Sequence, residues 1–253
     1  MFRKQMSVVT VAGLMALSAG AAQGALVASD NASDAVYNDG LQSGDNGGTG
    51  FQPFILENGN AFIGNSQNNG FQNGNINSAG DEAFGQYDTQ TLTRPFTGAL
   101  SVGQTFSIDF DNGFLGNGEV AEVRLANASG AQLFSFGFTG GEQEYQIDDA
   151  SGDNQLVSSI GFSSAGFQID FTLTGATTYS LAILNQANNQ LFTRVGTIAG
   201  EIDRVQIVSG PLTPDGEGDV FSNNFAITDA VVPEPTTLGL LSLAGLTALR
   251  RRR

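Results

Sequence analysis

Apolar and polar residues alternate with a period of two through most of this chain, and that pattern leaves few folds open. Phe106, Ile108 and Phe110 alternate with Thr105, Ser107 and Asp109, the signature of a strand with one buried face and one wet face. The spacing recurs at Val123 and Leu125, at Phe134, Phe136 and Phe138, and at Tyr145 and Ile147. It returns in Phe167, Ile169, Phe171 and Leu173, in Tyr179, Leu181 and Ile183, in Val205 and Ile207, and in Phe225 and Ile227. Asn112-Gly113, Asn117-Gly118, Ser129-Gly130, Gly140-Gly141 and Gly175 punctuate these runs as turns. Many short strands, each with one apolar face, predict an all-β domain of two antiparallel sheets packed face to face.

Phenylalanine supplies the expected core. Of the 19 Phe only Phe2 falls in the first 24 residues, and burying each remaining ring stabilises by about 1.5 to 3 kcal/mol. The stripe of Phe134, Phe136 and Phe138 reads as core, with a sugar-stacking platform as the alternative. Tyr37 to Gly80 is different, being crowded with Asn, Gly, Gln and Ser. There only Phe51, Phe54, Ile55, Leu56, Ala61, Phe62 and Ile63 suit short strands, and Gly64 to Asn69 and Gly74 to Ser78 read as long loops.

Both ends carry the marks of export. Arg3 and Lys4 precede an apolar stretch from Val8 to Leu17, and Ala22, Gln23 and Gly24 form a small-x-small cleavage site before Ala25. At the other end Val232, Pro233, Glu234 and Pro235 lead into the uncharged run Thr236 to Leu249, closed by Arg250, Arg251, Arg252 and Arg253. The two prolines hold the tag extended and readable by another protein. As a helix those 14 residues reach about 21 Å, a marginal span against a hydrocarbon core of roughly 30 Å. The terminal arginines would stay on the cytoplasmic side. The expected organisation is a signal helix over 1–24, a β-sandwich over 25–230 and a sorting segment with a short apolar helix over 231–253.

Val-Pro-Glu-Pro, an apolar stretch and an arginine run resemble the PEP-CTERM sorting signal of exopolysaccharide-producing Gram-negative bacteria. The cleavage site before Ala25 makes signal peptidase and the general secretion machinery the expected partners at the first end. At the second it implies exosortase, a membrane protease that cuts near the Pro-Glu-Pro tag. It further implies transient inner-membrane contact through the C-terminal helix, then a place at the cell surface or in the extracellular matrix. The succession from Ser101-Val102-Gly103-Gln104-Thr105-Phe106 through Leu133-Phe134-Ser135-Phe136 and Phe171-Thr172-Leu173-Thr174-Gly175 to Asn223-Asn224-Phe225-Ala226-Ile227-Thr228 is similar to concanavalin-A-like jelly-roll domains. That fold hosts lectins, glucanases and adhesive modules alike.

Composition narrows the chemistry. With no Cys and no His in the chain, disulfides, thiol catalysis, Ser-His-Asp triads and His-ligated metals are excluded. Between Ala25 and Ala230 stand four arginines (Arg94, Arg124, Arg194 and Arg204) against 24 acids, a formal charge of −20. Nucleic acid is therefore not an expected partner, since phosphate binding needs clustered cations; a cation or a polysaccharide is.

Two acidic constellations remain. Glu201, Ile202 and Asp203 resemble the start of the E-I-D catalytic strand of laminarinase and lichenase-type glucanases. A retaining hydrolase needs two carboxyl groups about 5 to 5.5 Å apart, yet the third position here is Val205 or Gln206, and neither shuttles a proton. Asp109, Asp111 and Asn112 before Gly113, and Asp215, Glu217 and Asp219, offer oxygen ligands of the kind calcium takes. We expect Asp109, Asp111 and Asp219 to be the ligands of a structural calcium, if one is bound, and no other cofactor. The expected function is a non-enzymatic, exported surface or matrix protein with weak glycan binding or adhesion. A glycoside hydrolase and an ice-binding protein are the alternatives; the second needs a flat threonine-rich face, and the threonines are scattered in sequence.

Overall fold

The computed structural model describes residues 24–67, 74–163, 165–212 and 218–230. The expected signal helix and apolar tail helix fall outside the described residues, and the compact unit is Gly24–Ala230. In chain order its strands are β1 (Leu26–Asp30), β2 (Ile55–Leu56), β3 (Ala61–Gly64), β4 (Ala83–Gln86) and β5 (Gln90–Pro95). Next come β6 (Thr105–Asn112), β7 (Val120–Ala126), β8 (Gln132–Thr139), β9 (Glu144–Asp149) and β10 (Gly152–Gly161). The last five are β11 (Phe167–Gly175), β12 (Thr178–Asn185), β13 (Gln190–Thr197), β14 (Arg204–Gly210) and β15 (Val220–Thr228).

These strands make two antiparallel sheets. One runs β13-β12-β11-β6-β15-β4-β3, with β1 also on β15, and the other runs β10-β9-β8-β7-β14-β5-β2. Period two dictates their packing. Phe106, Ile108 and Phe110 on β6 and Phe167, Ile169 and Phe171 on β11 are buried, and so are Val123, Leu125, Phe134, Phe136 and Phe138 of the opposite sheet. Rings meet across the gap: Phe134 lies 5.1 Å from Phe171, and Tyr145 lies 4.8 Å from Phe167 at 71°, the edge-to-face geometry aromatic pairs prefer. The fold is a two-sheet antiparallel sandwich of jelly-roll type, and the phenylalanine stripe is core rather than platform.

The Gly- and Asn-rich stretch after β1 is pinned to the sandwich by one cation. Arg94 on β5 is fully buried and bonds Asp30 at 2.5 Å. It also donates to the carbonyls of Asp45, Gln52 and Gly47 and lies 4.2 Å above the Phe54 ring. Tyr37 donates its hydroxyl to Asp30 at 2.7 Å and accepts the Gly47 N–H at 2.9 Å. A Cβ at Gly47 would stand 2.6 Å from the Tyr37 ring, so glycine is what allows this approach. This Asn- and Gly-rich stretch thus supplies Tyr37, Leu41, Phe51 and Phe54 to the core.

β1 closes the unit at a corner. Leu26 pairs with Thr228 and Asp30 with Phe225, and the Asp229 N–H donates to the Ala25 carbonyl at 2.8 Å. The expected cleavage position before Ala25 therefore lies beside the residue from which the chain leaves for its sorting segment.

Candidate functional site

The outer face of the larger sheet carries a polar surface that the alternation builds, with Leu191 and Val195 exposed at its β13 edge. On β6 the side chains opposite the core are Thr105, Ser107 and Asp109. Register sets them in rungs: Thr228, Thr105, Thr172 and Ser180 stand side by side across β15, β6, β11 and β12, and Ala226, Ser107, Asp170 and Ala182 form the next rung. The threonines scattered along the sequence are thus partly gathered into one row. Thr105 and Thr172 hydroxyls share a hydrogen bond at 2.7 Å, and Ser107 donates to Asp170 at 2.6 Å. Over Asp170, Thr172, Ser180 and Thr193 the face dips into a shallow depression of about 410 Å³, whose lining also includes Ala182, Arg194 and Val195.

Asp109 ends this array. Its carboxylate accepts from the Asn224 amide at 2.7 Å and from the Gln186 amide at 3.3 Å. Partial burial pushes its pKa up to about 6, with nearby Asp170 adding to the rise and the Asn224 bond opposing it. Asn224 reaches it because β15 slips register between Asn223 and Ala226 and Asn224 takes φ of 51°, a left-handed conformation Asn tolerates better than most residues. Neither Asn224 nor Gln186 was expected as a site residue. The adjacent Asn223-Asn224 pair within a strand was the signal that could have found the first; nothing local marks the second.

Asp111 is buried on the same strand face, under the Gly74 and Gly166 backbone. Among the described residues neither of its carboxyl oxygens has a hydrogen-bond partner of good geometry. Burial holds its pKa well above the carboxylate range, against the pull of nearby N–H groups of Asn112, Gly74 and Gly166. Those N–H groups suit an anion and are not metal ligands. Asp219 gives its backbone carbonyl to the Gly113 N–H at 3.1 Å. Among the described residues no three acidic side chains converge as a metal-binding group, so the structure does not bring Asp109, Asp111 and Asp219 together as a calcium cage. Asp215 and Glu217 lie outside the described residues.

The glucanase-like residues are displaced from a strand. β14 begins at Arg204, so Glu201, Ile202 and Asp203 precede it. Ile202 is fully buried, Glu201 is exposed, and Asp203 is paired with Arg204 at 3.1 Å. Val205 and Ile207 turn inward. Val232, Pro233, Glu234, Pro235 and Arg250 to Arg253 lie outside the described residues, as does Ala22.

Fold and face define a jelly-roll β-sandwich with a hydroxyl- and amide-lined sheet surface. Residues 231–253 match the PEP-CTERM protein-sorting motif, the signal recognised by exosortase, and they mark an exported protein sorted to the cell envelope. No curated protein matches the chain in sequence. Among solved structures, a protein of unknown function from Shewanella oneidensis MR-1 is similar at 12% identity and a TM-score of 0.50, covering 88% of this chain and 98% of that one. Domain 4 of an extracellular arabinanase from Geobacillus stearothermophilus, in complex with arabinotriose, aligns at 10% identity and a TM-score of 0.47, covering 83% and 96%. The receptor binding domain of botulinum neurotoxin type G aligns at 11% identity and 0.46, covering 82% of this chain. The chain spans 48% of that domain's length. Among the described residues no helix is long and apolar enough to cross a membrane.

Proposed function

We propose that the Gly24–Ala230 unit is a non-enzymatic module of the cell surface or polysaccharide matrix, and that it contacts neutral glycan through the outer face of its larger sheet. The observation that carries this reading is the run of hydrogen-bonded hydroxyl, carboxylate and amide pairs from Thr105–Thr172 to Asp109–Asn224 on an open face. Such pairs offer donors and acceptors in fixed positions, as sugar hydroxyls require. Signal peptidase frees the first end at Ala25, exosortase processes the second, and the unit needs no cofactor.

Binding of the full-length protein to immobilised polysaccharides tests the reading, with Thr105→Val and Thr172→Val together as the face variant. Weakened binding at unchanged thermal stability is expected. Failure of the wild-type protein to bind any polysaccharide would reduce the role to a structural one. Release of reducing sugar from a β-glucan, lost on Glu201→Gln, would instead establish the hydrolase.

A further inference from the structure

Where the two sheets part at their edges, between the end of β10 and the β12–β13 hairpin, lies a pocket of about 230 Å³ that the outer face does not include. Phe162 stands in its wall with 43% of its surface exposed, although its ring is steadied by the buried Phe138 at 5.1 Å. The rest of the lining is amide, hydroxyl and aliphatic groups, including Ile160, Ser163, Asn185, Asn188 and Gln190. The turn holds these in place: Asn185 accepts the Ala187 N–H at 2.9 Å, Asn188 accepts the Gln190 N–H at 2.8 Å, and Asn185 donates to Ser163 at 3.3 Å.

Charge is the telling feature. Among the described residues no ionisable side chain lines the pocket, in a unit whose acids outnumber its arginines 24 to four. A cation would find no carboxylate here, and an anion would meet the field of the whole unit. An uncharged polar ring fits: one face apolar enough to lie on Phe162, its edge rich in hydroxyls for the amides. The volume is below the range for drug-sized ligands, which limits the occupant to about one ring.

Position adds a reason for its use. Asn185 is five residues along β12 from Ser180, which shares the Thr228 rung, a separation of about 17 Å along the strand. The pocket thus opens at the opposite end of the strands from the corner where the chain leaves for its sorting segment. The hairpin that lines it also sends Gln186 to Asp109, so pocket and outer face adjoin.

We infer that this rim pocket holds a single ring of a neutral saccharide stacked on Phe162, and that it makes the module discriminate against uronic-acid polymers. The inference rests on the glycan-binding reading and gives it a specific locus. The test is isothermal titration of the full-length protein with oligosaccharides of a β-1,3-glucan, cellulose and dextran, beside oligomers of alginate and polygalacturonate. At least one neutral series should bind, Phe162→Ala should weaken it tenfold or more, and Phe162→Tyr should retain it. Asn188→Ala should give an intermediate loss. Unchanged binding by Phe162→Ala would overturn the pocket while leaving the outer-face reading intact. Equal binding of the uronate oligomers would overturn the selectivity. Absence of binding by the wild-type protein would overturn both this inference and the reading beneath it.

Discussion

Arg94 and Asp30 meet at 2.5 Å with both side chains wholly withdrawn from solvent, and through them the carbonyls of Asp45, Gly47 and Gln52, between β1 and β5, acquire a partner they could not find locally. Removing one member of a buried pair strands the other charge, at about 3 to 5 kcal/mol. Asp30→Ala should therefore lower the thermal midpoint by roughly 10 °C for a unit of this size. Arg94→Lys should fail to rescue, since one ammonium cannot replace a planar fork that reaches three carbonyls as well. Calorimetry of the two variants checks both statements.

Acid should stabilise the protein through Asp109. Burial pushes its carboxyl up to about 6, so the folded state holds a proton that the unfolded state has released. This contribution is complete below about pH 4 and is lost as pH rises through about 6. Asp149 runs the other way. Burial raises it, but bonds from Ser151, Tyr179 and Arg194 hold it below the carboxylate range, so its contribution falls away only at more acid pH. Urea unfolding at pH 4.5 and pH 7 should show greater stability at the lower value, with Asp109→Asn shrinking the difference.

Asn224 is held at φ of 51° by the slip in β15. Asn224→Ala should cost about 1 to 2 kcal/mol, from a side chain less tolerant of that backbone and from loss of the bond to Asp109. Asn224→Gly should recover the backbone part alone. Chemical denaturation of the three proteins separates the two contributions.

Calcium should leave the thermal midpoint where it is. Asp109 is engaged by amide donors, and Asp111 faces N–H groups. A rise of several degrees in millimolar calcium would instead reveal a site completed by residues beyond these.

Changing the sorting tag should alter processing without altering the fold. Glu234→Ala is expected to leave the full-length precursor in the membrane fraction, while the secreted form disappears. Immunoblotting of cell fractions with an exosortase-deficient strain as reference reads this directly.

What could be read from sequence followed the reach of each interaction. Phe106 to Phe110, Phe134 to Phe138 and Phe167 to Leu173 announced their strands because period two is local and strong, and the glycine turns at Gly118, Gly130 and Gly141 take φ of 84°, 84° and 97°. β1 gave no such sign: five residues with two apolar ones at its exposed start owe their place to pairing with β15, almost 200 residues away. Nothing local set Arg94 apart from the other three arginines, and only Asp30 and the carbonyls of a distant glycine-rich strap make its burial tolerable. The polar face was half legible. Thr105, Ser107 and Asp109 were visibly the wet side of a strand, whereas the row joining Thr105 to Thr172 and Thr228 is a matter of register between strands. The rim pocket was hidden altogether, since Phe162 follows a strand of one sheet and Asn188 lies in a turn of the other.

The antiparallel seam of β1 on β15 has a mechanical corollary. A protein held by its tail and gripped at the far rim would be pulled lengthwise down β15, whose hydrogen bonds to β6 and β1 lie across the line of tension. Such bonds are loaded together instead of being peeled one after another, so a pull in that direction should meet more resistance than one that strips the strand away from its end.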